Sequence, residues 1–449
     1  MFYKGFRFGI GVSSYQVEGG YNLDHKVPSI WDVFTTEPGA ISDHSDGKVA
    51  LDFYHRYEED IMIAKDLGIQ DFRLSLSWCR ILNEDQSVNM EGVAFYRRVL
   101  SCIREHGLNP VCTLFHWDLP EYLDEKGGWV NRDIVKCYST YVQAVSDYLS
   151  DLVTDFLTFN EPQCFIGLGL TGKEHAPSRK TNLRDLLAAS HHVLLAHAAA
   201  YQILKKKNPK CEVGFVNTIT IPIPEDRNNQ ELEKACYEEL FNTRISAEDF
   251  YTVSLYMDPL YLGHYPQSIL SDYKKEYGTI IQKGDMELIQ KAKQTTVYLN
   301  IYTGHKCRLI SNKLVSLYDS DPKDSTSFEW LKVQPESLYY GPKYVYERYH
   351  LPIVISENGV CYEDKLCNEK VHDENRIQFI ESYLQELDKA NQDNIPIKAY
   401  YYWSLFDNFE WAYGYTKRFG LVYIDYNNNL KRIKKDSFHT LQKIIKEVK

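Results

Sequence analysis

Eight short runs of apolar and β-branched residues recur along the chain, each ending in polar residues. They are Phe6–Val12, Asp71–Ser77, Val111–Phe115, Asp155–Phe159, Val213–Asn217, Val297–Ile301, Ile353–Ser356 and Ala399–Trp403. Segments of helical period lie between them. After the third run, Ile134, Tyr138, Tyr141/Val142, Val145 and Tyr148/Leu149 fall on one helical face. Asp185–Leu204 predicts a second long helix, and Ile377, Ile380, Leu384 and Leu387 mark a third. Strands that are apolar nearly throughout suit a parallel sheet, because the helices that return the chain cover its faces. Eight such strands alternating with helices, with no Gly/Ser-rich or Pro-rich linker, predict an α/β fold: one closed (β/α)₈ TIM barrel over residues 1–449. An open doubly wound sheet fits the same alternation, but no GxGxxG follows any strand. The polar stretches Pro224–Arg244 and Asp319–Ser327 read as loop insertions into a single domain.

Composition narrows the class. At about 150 residues per domain the length suggests three domains, but α/β barrels with insertions reach this size as one. The excess of 62 Asp+Glu over 51 Lys+Arg argues against nucleic acid or an anionic membrane surface as partner. Thirty-five Tyr, 20 Phe and 7 Trp supply an aromatic-rich core or flat faces for stacking on a ring-shaped ligand. The ten Cys include no CxxC pair, so no zinc spacing is present, and Cys112 in an apolar run reads as a buried free thiol. Met1-Phe2-Tyr3-Lys4-Gly5 has no basic stretch leading into an apolar one, and no run of 18 apolar residues occurs. A soluble, cytoplasmic chain is expected.

In a (β/α)₈ barrel, functional side chains project from the C-terminal strand ends. Those ends offer Gln16, Arg73 and Ser75, His116, Asn160 and Glu161, Asn217, Asn300 and Tyr302, Glu357 and Asn358, and Trp403. No Ser-His-Asp spacing, phosphate loop or HExxH helix accompanies them. Two carboxylates on one barrel mouth, among neutral hydrogen-bonding groups and aromatics, suit glycosidic bond cleavage. One carboxyl protonates the leaving oxygen while the other meets the positive anomeric carbon. A glutamate ending an apolar strand is costly unless paired, hydrogen-bonded or functional. Taken singly, either Glu161 or Glu357 is as readily a structural ion pair; two, each beside an Asn, favour chemistry.

These residues match a family pattern. Thr158-Phe159-Asn160-Glu161-Pro162, Ile355-Ser356-Glu357-Asn358-Gly359, Ser13–Gly19, Phe72–Trp78, Phe115-His116-Trp117-Asp118-Leu119-Pro120 and Asn408-Phe409-Glu410-Trp411 resemble glycoside hydrolase family 1, in the expected order from Phe8 to about Tyr426. The resemblance implies a retaining β-glucosidase with Glu161 as general acid/base and Glu357 as nucleophile. It further implies that Arg73 and Tyr302 hold the nucleophile and that Asn160 meets the sugar 2-OH. Gln16, His116, Asn300, Glu410 and Trp411 correspond to glycone-binding positions, Trp403 to the stacking floor, and Trp330 to one wall of the leaving-group site. Trp330 stands one residue further from Pro335 than is usual, and Ala176-Pro177-Ser178 and Gly263-His264-Tyr265-Pro266 also depart from the common pattern.

The implied substrates are short β-glucosides and cello-oligosaccharides, as in cellulose degradation, with β-galactosides and β-fucosides as possible companions. No metal and no organic cofactor is expected. The Glu410 carboxylate is expected to repel a 6-phosphate, which sets a 6-phospho-β-glycosidase second. A non-catalytic sugar-binding protein is the rival of another class.

Overall fold

The computed structural model describes residues 2–317 and 325–448, so most of the stretch 319–327 lies outside the described residues. Each predicted run forms a strand close to its expected limits. The strands are β1 (Arg7–Val12), β2 (Asp71–Ser75), β3 (Asn109–Thr113), β4 (Asp155–Asn160), β5 (Glu212–Thr218), β6 (Val297–Asn300), β7 (Ile353–Asn358) and β8 (Ile397–Trp403). They pair in sequence order and in parallel, and β1 closes the barrel by pairing with both β2 and β8. β2 ends earlier than expected because the chain turns at Ser77 into the short helix Trp78–Ile81.

Side chains fill the barrel. Val111, Leu157, Val216, Tyr298, Val354, Ala399 and Tyr401 form a cluster contributed by β3 to β8. Beside it the Arg7 guanidinium pairs with Asp71, with Nε 2.7 Å from Oδ2, and the Tyr401 hydroxyl donates to the same oxygen at 3.0 Å. The glycines of β1 make room for large neighbours on β8. In the register Gly9 faces Tyr401 and Gly11 faces Trp403. A Cβ at Gly9 would lie 2.5 Å from the Tyr401 ring, and one at Gly11 would lie 2.8 Å from the Trp403 indole. The bulky aromatic of one strand therefore requires the absent side chain of the next.

The predicted helices are present, with shifted detail. Ile134–Leu149 buries Ile134, Tyr138, Tyr141, Val142, Val145 and Leu149, while Tyr148 of the same stripe stays on the surface. Leu183–Lys207 extends the second helix at both ends and starts at Asn182, whose side chain accepts from the Asp185 N–H at 3.0 Å. In Glu374–Gln392 the core face is set by Phe379 and Tyr383, stacked at 3.9 Å, together with Ile380, Leu384 and Leu387; Ile377 is only half-buried. The stretch 224–244 is not the loop expected from its polarity. It contains the helix Gln230–Leu240, whose Leu232, Cys236 and Leu240 repeat every four residues and pack against the strands Ile221–Pro224 and Gly304–Ile310. Asn229 caps it by accepting from the Leu232 N–H. Among the described residues no helix is long and apolar enough to cross a membrane. All ten cysteines, Cys112 included, are free.

Candidate active site

Both glutamates emerge where the barrel's register slips. The β7 pairings shift between Ile355 and Glu357 on the β6 side, and the β4 pairings shift between Leu157 and Asn160 on the β5 side. Such irregularities re-aim the side chains that follow them. Glu161 also adopts a left-handed backbone, φ 48°, unusual for a residue with a side chain. Its N–H donates to the Val216 carbonyl at 3.0 Å, and Pro162 then opens the helix Pro162–Phe165.

A continuous hydrogen-bond network joins the two carboxyls. Glu357 Oε1 accepts from Arg73 Nη1 at 2.5 Å, and its Oε2 accepts from the Tyr302 hydroxyl at 2.6 Å. Arg73 also donates through Nη2 to Asn160 Oδ1 at 2.6 Å. The same Asn160 oxygen accepts from Asn300 Nδ2 at 3.1 Å, and that amide reaches Glu161 Oε1 at 2.7 Å. Ser356, beside Glu357, fixes Asn300 by donating to its Oδ1 at 2.8 Å. Five residues from four strands and one strand end thus hold one rigid constellation.

Above it opens a cavity of about 1070 Å³ lined by His116, Asn160, Glu161, Glu357, Trp403 and Glu410, among others. Trp411, Tyr302 and Trp330 also face this cavity. His116 lies between Trp403 and Trp411, nearly parallel to both, with ring centroids 5.7 and 6.0 Å away. Trp330 lines the same cavity; half-exposed, it meets the Tyr302 ring edge-on at 6.0 Å. Gln16 and Asn300 are fully buried and adjoin the cavity through Glu410 and Glu161. Gln16 Nε2 donates to Asn408 Oδ1 at 3.0 Å and to the Phe409 carbonyl at 2.8 Å, which anchors the Glu410 loop to the first strand end. Among the described residues no group of three His, Cys, Asp or Glu side chains is placed to hold a metal ion.

Several lining residues carried no role in the sequence reading. Trp117 donates from its indole N–H to the Asn160 carbonyl at 2.9 Å and packs on Trp411 at 4.6 Å. His175 packs on Trp117 and Trp31. Cys164 and Tyr251 complete the wall near Glu161. Trp117 sits inside a recognised motif and His175 just before Ala176-Pro177. Tyr251 belongs to an irregular segment with no periodic signal.

The site sorts its ionisable groups by environment. Burial, and then the Glu357 charge, push Glu161 up to about 8. Burial is the larger of the two causes. Burial and the charges of Glu357 and Glu161 likewise push Glu410 up to about 8. Burial and the same two charges hold the Tyr302 phenol well above its usual range, so it remains a donor. Burial and Arg73 keep His116 neutral by lowering its pKa well below the usual value.

A parallel barrel with a buried carboxyl pair, one ion-paired and one protonated, inside an aromatic and amide-lined cavity defines the glycosidase class of (β/α)₈ proteins. The description "Glycosyl hydrolase family 1" matches residues 1–449, and the chain belongs to this family. "Beta-glucosidase A" of Acetivibrio thermocellus is 37% identical, across 99% of this chain and 98% of the relative. The "1,4-beta-D-glucan glucohydrolase" of Thermotoga neapolitana is 36% identical over the same shares. Among solved structures, the β-glucosidase from Thermotoga maritima in complex with deoxynojirimycin superposes with a TM-score of 0.86 at 33% identity, covering 99% of this chain and 98% of that one.

Proposed function

We propose that the protein is a retaining β-glucosidase that removes non-reducing-end β-D-glucosyl residues from short β-glucosides and cello-oligosaccharides. The observation that carries this reading is the asymmetry of the two carboxyls. Glu357 is held on both oxygens by the charged Arg73 and by Tyr302, whereas Glu161 meets the neutral Asn300 amide and Cys164 thiol and keeps its proton. Glu357 then attacks the anomeric carbon while Glu161 protonates the leaving oxygen. Once Glu357 is esterified its charge is gone, Glu161 becomes more acidic, and it takes the proton of the water that releases the sugar. Asn160, oriented by Arg73 and Asn300, donates toward the sugar 2-OH. Gln16, His116, Glu410 and Trp411 set the hydroxyl pattern over the Trp403 floor, and Trp330 borders the leaving group. Tolerance at C4 extends activity to β-galactosides and β-fucosides. The names of the Acetivibrio and Thermotoga relatives support the glucoside reading. The whole chain acts as one catalytic domain in the cytoplasm.

The test is a hydrolysis panel of p-nitrophenyl β-glucoside, β-galactoside, β-fucoside and β-glucoside 6-phosphate, with cellobiose, without added metal. The expected result is turnover of the unphosphorylated glucoside above its phosphate. Turnover of the phosphate alone would make the enzyme a 6-phospho-β-glycosidase. Binding of glucose or cellobiose with no turnover of any substrate would make it a sugar-binding protein.

A further inference from the structure

The loop that carries Trp330 is knotted by its own side chains. Thr326 Oγ1 donates to the Leu331 carbonyl at 2.8 Å and accepts from the Phe328 N–H at 3.0 Å. Ser325 and Lys332 pair across the base as an antiparallel bridge. The loop is rooted on the segments that follow β6 and β7. Thr303 Oγ1 donates to the Lys332 carbonyl at 2.7 Å, and the Ser327 hydroxyl donates to the Cys361 carbonyl at 3.0 Å. These bonds set the loop's shape and its root, but none of them involves the rings of Phe328 and Trp330.

Lys417 reaches the loop from a remote part of the chain. Its ammonium donates to the Ser327 carbonyl. It also stands over two aromatic rings at once, 5.0 Å from the Phe328 centroid and 5.6 Å from that of Tyr413. Phe328 and Tyr413 meet edge to face at 4.6 Å, so the cation closes a three-sided clasp. Phe328 is buried and carries the contact onward. Its ring packs on Trp330 at 5.5 Å, and Trp330 meets the Tyr302 ring at 6.0 Å. Trp330 is 51% exposed, so its direction depends on the ring it leans on.

We propose, resting on the place beside the leaving group given to Trp330 in the β-glucosidase reading, that Lys417 is a positioning residue. Its cation clasps Phe328 against Tyr413 and so holds Trp330 as the leaving-group wall. The clasp needs a positive charge, because a ring face attracts a cation and not a neutral chain of similar length. Arginine keeps the charge, whereas methionine keeps only the shape. A wall that meets substrate and transition state alike acts on KM more than on kcat. Hydrolysis of the glycosyl-enzyme is spared, since the leaving group has already departed.

The experiment compares the full-length parent, Lys417→Met and Lys417→Arg on cellobiose and p-nitrophenyl β-glucoside. Deoxynojirimycin serves as a glucose-sized inhibitor with no leaving group. Lys417→Met should raise KM about 5–20-fold for both substrates, with kcat within about 2-fold of the parent and the inhibition constant of deoxynojirimycin unchanged. Lys417→Arg should recover most of the loss. A Lys417→Met KM equal to the parent's would overturn the proposal. So would an equal weakening of substrates and deoxynojirimycin, which marks a general loss of structure. Lys417→Arg as impaired as Lys417→Met would also overturn it, because the charge would not be what acts. A parent that binds deoxynojirimycin but turns over neither substrate would overturn the β-glucosidase reading, and the proposal with it.

Discussion

Glu161 carries its proton because water is excluded around it, and that has consequences at the scale of one residue. For a poor leaving group, kcat/KM should fall as pH rises through about 8, where the free enzyme loses the Glu161 proton. Glu161→Gln should remove that alkaline limb and lower turnover of alkyl glucosides by about 10²–10⁴-fold, while activated aryl glucosides lose far less in glycosylation. Equal losses across a leaving-group series would take Glu161 out of the acid role. Linkage gives a second expectation. The folded-state pKa of Glu161 lies above the ordinary 4.5, so folding binds a proton. Its contribution to stability is complete below about pH 4.5 and is lost as pH rises through about 8. Glu161→Gln should therefore lose less melting temperature than the parent between about pH 5 and 8, as read by calorimetry. Glu357→Gly should abolish hydrolysis, with azide or formate restoring turnover of an aryl glucoside, because the nucleophile's place beside Arg73 and Tyr302 is left open. A correctly folded variant that no anion rescues would count against Glu357.

At the scale of an element, the proposed floor of the sugar site depends on the strand beside it. Trp403 closes β8, and its indole occupies the space that Gly11 of β1 leaves free. Gly11→Ala puts a methyl group 2.8 Å from that ring, and relieving the clash by moving the ring or the strand costs about 1–3 kcal/mol. Moving the indole should raise KM for p-nitrophenyl β-glucoside about 10-fold with a smaller change in kcat, since a stacking floor contributes alike to ground and transition states. An unchanged KM would show that Trp403 does not hold the sugar. The register slips in β4 and β7 work at the same scale. They turn Glu161 and Glu357 toward the mouth without lengthening either strand.

The whole molecule is closed by a buried charge network between its C-terminal segment and the loop after β8. Lys435 is fully enclosed and donates to Asp407 Oδ1 at 2.7 Å and to Asp364. Arg376 pairs with Asp364 at 2.8 Å, and Arg418 pairs with Asp407 at 2.6 Å. Asp407 lies in the loop that leads from Trp403 to Glu410, so this network also braces the cavity wall that both line. Lys435→Met leaves both aspartates short of a partner in an enclosed place, and breaking such a pair costs about 3–5 kcal/mol. The expected outcome is a lower guanidinium midpoint with an unchanged slope, and a midpoint equal to the parent's would show the network to be dispensable.

Period and order were legible in the residues themselves. Runs apolar throughout, alternating with helical stripes, determine a parallel sheet covered on both faces, and the lack of a GxGxxG after any strand favours its closed form. Polar residues at the strand ends then name Glu161, Glu357, Arg73, Asn160 and Tyr302, because the barrel brings all C-terminal ends to one mouth. What only the tertiary structure decided depends on contacts between segments remote in sequence. The helix at 230–240 was hidden by its charged surface, although its four-residue stripe was present. Tyr251 and His175 reach the cavity from irregular segments that carry no period. The raised pKa values of Glu161 and Glu410 arise first from burial, which no local pattern encodes. A sequence specifies which groups exist and in what order they meet the rim. Packing alone fixes their distance from water, and with it their charge.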